Sequence, residues 1–151
     1  MSPELQNRLF KNYPMLFTGG RPSPLSKYGI QCDSGWFSLI VEMSDELTKL
    51  AKENDIIIKY VQVKEKMSVL VTYLVCYKAN GKNSLEDEDL WDKVFAITSK
   101  YRDKSGSVCE ITGSGAGEMY IREGYFKTLC PQTAILLGFE PVKKKSARLN
   151  I

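Results

Sequence analysis

The run from Ile56 to Tyr77 does most to limit what this chain can fold into. It reads Ile-Ile-Ile-Lys-Tyr-Val-Gln-Val, then the charged stretch Lys64-Glu65-Lys66, then a second apolar arm from Ser68 to Tyr77. β-branched and aromatic side chains dominate both arms, which suits a pleated, half-buried surface. An antiparallel hairpin turning at Lys64–Lys66 is expected. Val69, Val71, Tyr73 and Val75 would share one face. Leu70, Thr72, Leu74 and Cys76 would share the other, with both faces largely covered. A hairpin alone is marginal in water, so the flanking segments must supply that cover.

Those segments read as helices. Ser2-Pro3-Glu4 is a helix start, Leu5, Leu9 and Tyr13 fall on one face, and Pro14 ends the helix. Met15 to Asp33 carries Gly19, Gly20, Pro22 and Pro24 and reads as a long surface loop pinned by Leu16, Phe17 and Tyr28. Asp33 or Ser34 would cap a second helix reaching about Glu53, with Trp36, Ile40, Met43, Leu47 and Leu50 as its buried stripe. After a turn at Asn80–Asn83, Ser84 would cap a third helix. Glu86 to Asp89 lie at its positive end and Lys100, Arg102 and Lys104 at its negative end. Trp91, Val94, Phe95, Thr98 and Tyr101 form its apolar face, and Ser105-Gly106 closes it.

Composition narrows the chemistry. The chain has 151 residues, a formal net charge of +3 and no histidine. The missing histidines remove Ser-His and Cys-His nucleophilic sites, His acid–base catalysis and His-bearing metal sites. No apolar run is long enough to span a bilayer and no signal peptide is visible, so a cytoplasmic protein is expected. In that compartment Cys32, Cys76, Cys109 and Cys130 would be free thiols or metal ligands rather than disulfides.

Two of those thiols belong to a pattern. Cys109-Glu-Ile-Thr112-Gly113 is followed by a Gly-rich loop, a hairpin-like run from Met119 to Leu129, and Cys130-Pro-Gln-Thr133 at the start of an apolar helix. This is the order of a treble-clef finger: a Cys-x-x-Cys knuckle, a hairpin, and a helix whose first turn supplies two more ligands. Here Thr112 and Thr133 stand where metal donors belong. A neutral hydroxyl is a poor zinc donor, so no zinc and no other cofactor is expected. Tyr120, Tyr125, Phe126, Ile135, Leu136, Leu137 and Phe139 would form a replacement core.

Four stretches together resemble a family of small, mostly uncharacterised phage and prophage proteins: Ser2-Pro-Glu-Leu-Gln with Tyr13-Pro14, Gly29 to Phe37, Val61 to Lys66, and Cys109 to Ala134. The resemblance covers nearly the whole chain. The family usually completes the finger with Cys and His at positions 112 and 133, and tends to have an aromatic-Gly pair at 67–68 and Arg at 71. This chain has Thr112, Thr133, Met67-Ser68 and Val71 instead.

The reading is one α+β domain. A body over residues 1–106 has two N-terminal helices, a central antiparallel hairpin and a third helix. A finger-like module without zinc covers 107–140, and a basic tail covers 141–151. The resemblance and the missing histidines imply a non-enzymatic accessory protein that binds a host protein or complex, of the kind that blunts a defence system. Lys59, Lys64, Lys66, Lys143, Lys144, Lys145 and Arg148 are its candidate partner contacts. The same lysines could instead touch nucleic-acid phosphates. A third reading takes Gly113-Ser-Gly-Ala-Gly117 as an anion-binding loop for a small nucleotide, although it lacks the P-loop ending and the dinucleotide spacing.

Overall fold

A computed structural model describes residues 1–143. The chain is α+β: N-terminal helices, an antiparallel hairpin, a long helix, and a small three-stranded antiparallel sheet with one short helix. No helix among the described residues is long and apolar enough to cross a membrane.

Helix α1, Pro3–Asn12, starts at Ser2, whose hydroxyl accepts from the Leu5 N–H. The expected loop after it is not irregular. It contains α2, Pro14–Phe17, and α3, Pro24–Tyr28, each opening on a proline that needs no N–H partner there. Leu16, Phe17 and Leu25 are buried against the core, whereas Tyr28 points outward and pins nothing.

The second long helix, α4 (Phe37–Glu53), follows a 3-10 turn over Ser34–Trp36. Neither Asp33 nor Ser34 caps it by side chain; the Asp33 carboxylate is drawn instead to Lys127. Trp36, Ile40, Met43 and Leu47 are fully buried, as a continuous stripe requires.

Strands β1 (Ile56–Lys66) and β2 (Val69–Lys78) make the hairpin, with a bulge at Val61. The turn lies later than expected. Lys64, Glu65 and Lys66 are in the strand, and Met67-Ser68 make the turn with φ of 51° and 66°. A two-residue turn with both φ positive matches the twist of the strands. Only one face is well covered: Ile58, Tyr60, Val63, Leu70 and Cys76 are buried under α4 and α5, while Tyr73 on the other face is exposed.

Helix α5, Glu88–Ser105, is capped three residues later than expected, because Ser84 bridges to Tyr77 and extends the strand edge. Asp87 caps α5 by accepting from Leu90 N–H. Val94 and Tyr101 are buried, but Phe95 faces outward. Lys100 and Lys104 pair with Glu46 and Glu42 of α4, fixing the two helices side by side.

The C-terminal unit has β3 (Glu118–Arg122), β4 (Tyr125–Leu129), α6 (Pro131–Leu137) and β5 (Glu140–Pro141). The sheet order is β4-β3-β5, and its third strand was not expected. Its core is separate and small: Cys109, Tyr120, Leu129, Cys130, Ala134 and Phe139.

Candidate functional site

Two facing turns build the centre of the C-terminal unit. In the first, Gly113 N–H donates to Cys109 C=O at 2.8 Å and Cys109 N–H donates to Ser114 C=O at 2.7 Å. Gly113 has φ +77°, a conformation a side chain would resist. In the second, Cys130 stands before Pro131 at the start of α6, and Thr133 faces back from the first turn.

The side chains converge. Cys130 Sγ lies 3.1 Å from Thr133 Oγ1 and 3.8 Å from Thr112 Oγ1, and the Cys109 thiol is near enough to stabilise its thiolate. Four thiolates on zinc, at bonds of about 2.3 Å, stand roughly 3.8 Å apart. The two Thr hydroxyls reach Cys130 at distances of the order found between metal ligands, but the residues do not fit the metal. Two of the donors are neutral hydroxyls, and no group of three His, Cys, Asp or Glu side chains among the described residues could hold an ion.

The convergence acts on Cys130 in another way. Hydrogen bonds from the Thr133 hydroxyl and backbone, with smaller contributions from Thr112 and Cys109, lower its pKa to about 7. Burial acts oppositely on the body cysteines, raising Cys32 to about 12 and Cys76 to about 11.

A partly buried ion cluster ties this unit to the body. Lys127 Nζ lies 2.6 Å from Asp33 and 3.1 Å from Glu110, and the Glu110 side chain is 1% exposed. Burial raises the Glu110 pKa, partly offset by Lys127. Burial also works against the Lys127 ammonium, but its bonds to Asp33 and the attraction of Glu110 outweigh it. Gly35 N–H donates to Glu110 C=O at 2.7 Å, and a Cβ at Gly35 would sit 2.3 Å from the Cys109 carbonyl oxygen. The Trp36 indole N–H donates to Val108 C=O, and the Thr128 hydroxyl donates to Ser68 C=O.

The replacement core differs from expectation. Tyr120 and Phe139 are buried, but Tyr125, Ile135 and Leu136 are 74%, 79% and 84% exposed. Thr133 and Ala134 turn inward instead. The signal was in the sequence: successive helical residues lie about 100° apart, so Ala-Ile-Leu-Leu cannot all face one way. Arg122 donates to the Leu137 carbonyl at 2.6 Å, which holds the β3–β4 turn beside the end of α6.

The basic candidates do not gather in one place. Lys59 Nζ donates to the Met15 and Thr18 carbonyls, and burial lowers its pKa. Lys64 lies within β1 opposite Val71, whereas Lys66 and Lys143 are exposed. Lys144, Lys145 and Arg148 lie outside the described residues. In the Gly-rich loop, Gly113, Ser114, Ala116 and Gly117 already donate their N–H groups within the chain. Few remain for an anion.

The class this architecture defines is an α+β protein with a small C-terminal antiparallel sheet. Comparison with protein-family models, curated proteins and solved structures finds no match.

Proposed function

We propose that this chain is a non-enzymatic accessory protein of phage or prophage type that binds a host protein in the host cytoplasm and blunts a defence system. In this reading, residues 107–140 are a treble-clef-like module that has lost its zinc. Packing, the Thr–Cys cluster and the Asp33–Glu110–Lys127 cluster now hold it. The observation that carries the proposal is the outer face of α6. Ile135 and Leu136 are large, apolar and solvent-facing, with Tyr125 exposed on the adjoining hairpin. Fully burying one such aliphatic side chain is worth about 1.5–3 kcal/mol, and a few such anchors dominate most protein interfaces. The resemblance of the sequence to phage-type proteins supplies the host context.

The test is affinity capture from bacterial lysate with the wild type and the Leu136→Asp variant, followed by reconstitution of the purified pair. One partner retained by the wild type, lost by the variant and rebound in isolation supports the proposal. A partner held equally by both contradicts the assignment to α6. A mobility shift on nucleic acid that weakens steeply with salt would favour the phosphate-binding reading instead.

A further inference from the structure

We propose that the cavity between the hairpin and the segment joining α2 to α3 binds a phosphate monoester with a small aromatic body, of the nucleoside monophosphate kind, its phosphate held by Lys59 and Arg21. The cavity has a volume of about 370 Å³, which lies within the usual range for small-molecule sites. Strand alternation builds one wall. Ile58 and Tyr60 turn into the core, so Lys59 between them stands on the opposite face. The register pairs Lys59 with Val75 and Ile57 with Tyr77, which puts Val75 and Tyr77 on that same face, and both line the cavity. Thr18 to Ser23 form the other wall. Leu16 and Phe17 before this segment and Leu25 after it are buried in the core, so it is anchored at both ends.

The cations of this cavity lack counter-charges. Lys59 Nζ donates to the Met15 and Thr18 carbonyls at 3.0 and 2.6 Å, which uses two of its three N–H groups. Among the described residues no carboxylate pairs with Lys59 or with Arg21, whereas Lys49, Lys100, Lys104 and Lys127 each have one. Burial lowers the Lys59 pKa, as expected of an ammonium that has lost water without gaining an anion. The backbone beside it is open as well. The N–H groups of Gly19, Gly20 and Arg21 meet no partner among the described residues. A Cβ at Gly19 would lie 3.8 Å from Lys59 Nζ and one at Gly20 3.5 Å from Lys59 Cδ, so the glycines bring bare backbone up to the lysine. The Gly113–Gly117 loop differs on this point, because its N–H groups are already engaged.

Successive free N–H groups next to cationic side chains suit an anion. Charge balance selects the kind. A phosphate monoester carries close to two negative charges at neutral pH, which Lys59 and Arg21 match, while a carboxylate would balance only one of them. Val75 and the Tyr77 ring give an apolar wall against which an aromatic body can pack. The site uses β1, β2 and the α2–α3 segment rather than α6, so it does not depend on the proposed host-protein surface.

The test is isothermal titration of the full chain, with thermal unfolding alongside, using AMP, UMP and phenyl phosphate as probes and adenosine as the phosphate-free control. At least one of the three esters should bind at one per chain and raise the unfolding temperature. AMP binding identifies a nucleotide site, whereas phenyl phosphate binding alone identifies an aryl phosphate site without base recognition. Loss of one charge-assisted bond in Arg21→Ala should raise the dissociation constant of the bound ester by about tenfold or more. Lys59→Met should do the same, but it also frees the Met15 and Thr18 carbonyls and can loosen the segment. Arg21 is exposed and holds no such bonds, so Arg21→Ala is the deciding variant. Silence from all three esters in both assays, adenosine binding as tightly as AMP, or ester binding unchanged in Arg21→Ala overturns the proposal.

Discussion

Replacing Ser68 with glycine should stabilise this protein, although it deletes a buried side chain. Ser68 has φ +66° and is 1% exposed, and its hydroxyl is buried without a hydrogen-bond partner. A non-glycine residue in the left-handed region costs about 1–2 kcal/mol. Leaving a buried hydroxyl unsatisfied costs roughly 1–3 kcal/mol. Against these stands the greater freedom of glycine in the unfolded chain, about 0.5–1 kcal/mol. The backbone bonds survive, since Thr128 binds the Ser68 carbonyl and Glu65 accepts from its N–H. The balance is a gain of about 1–4 kcal/mol. Urea unfolding of Ser68→Gly at pH 7 should show a higher midpoint with an unchanged slope. A lower midpoint would refute the turn geometry or the unsatisfied hydroxyl.

Other expectations follow from the same contacts. Lys127→Met leaves the buried Glu110 carboxylate without a cation and should cost about 3–5 kcal/mol at pH 7. The loss should shrink as pH falls and Glu110 becomes protonated, so urea unfolding at pH 7 and pH 5 checks it. Cys130 has a folded pKa of about 7, below the 9.0 of an ordinary thiol, because the Thr133 hydroxyl and backbone bond its thiolate. Its contribution to stability is therefore complete above about pH 9 and is lost as pH falls through 7. Cys32 and Cys76 have raised values, so their contributions are present below about pH 9 and are lost as pH climbs through 11 to 12. Thermal unfolding from pH 7 to 9 should show a rise that disappears in Cys130→Ala. Leu136→Asp, on the exposed face of α6, should change stability by less than about 0.5 kcal/mol while abolishing partner capture.

The sequence signals that proved legible were the periodic ones. The Trp36–Leu47 stripe and the β-branched arms of the hairpin each repeat with a period that one kind of backbone imposes, so both elements were readable. Boundaries set by distant partners were not. Asp33 looked like a helix cap, but a half-buried Lys127 almost a hundred positions away offers its carboxylate a better bond than the backbone N–H groups nearby. Ser84 likewise lost its capping role to strand pairing with Tyr77. The hairpin turn was misplaced because charge suggested a tip at Lys64–Lys66, while two residues without glycine took the positive-φ positions. At the site, the hairpin and the helix after it were readable from spacing, and the hydroxyls of Thr112 and Thr133 lie beside Cys130. Which apolar residues the module keeps and which it shows to solvent required the seating of α6.

The measurement that bears most directly on the account is metal analysis of purified Thr112→Cys/Thr133→Cys protein beside the wild type. If these turns are a finger framework whose coordination chemistry was lost through two side chains, the double variant binds one zinc per chain and unfolds at a higher temperature, while the wild type binds none. A double variant that takes up no zinc, or a wild type that carries one per chain, contradicts it.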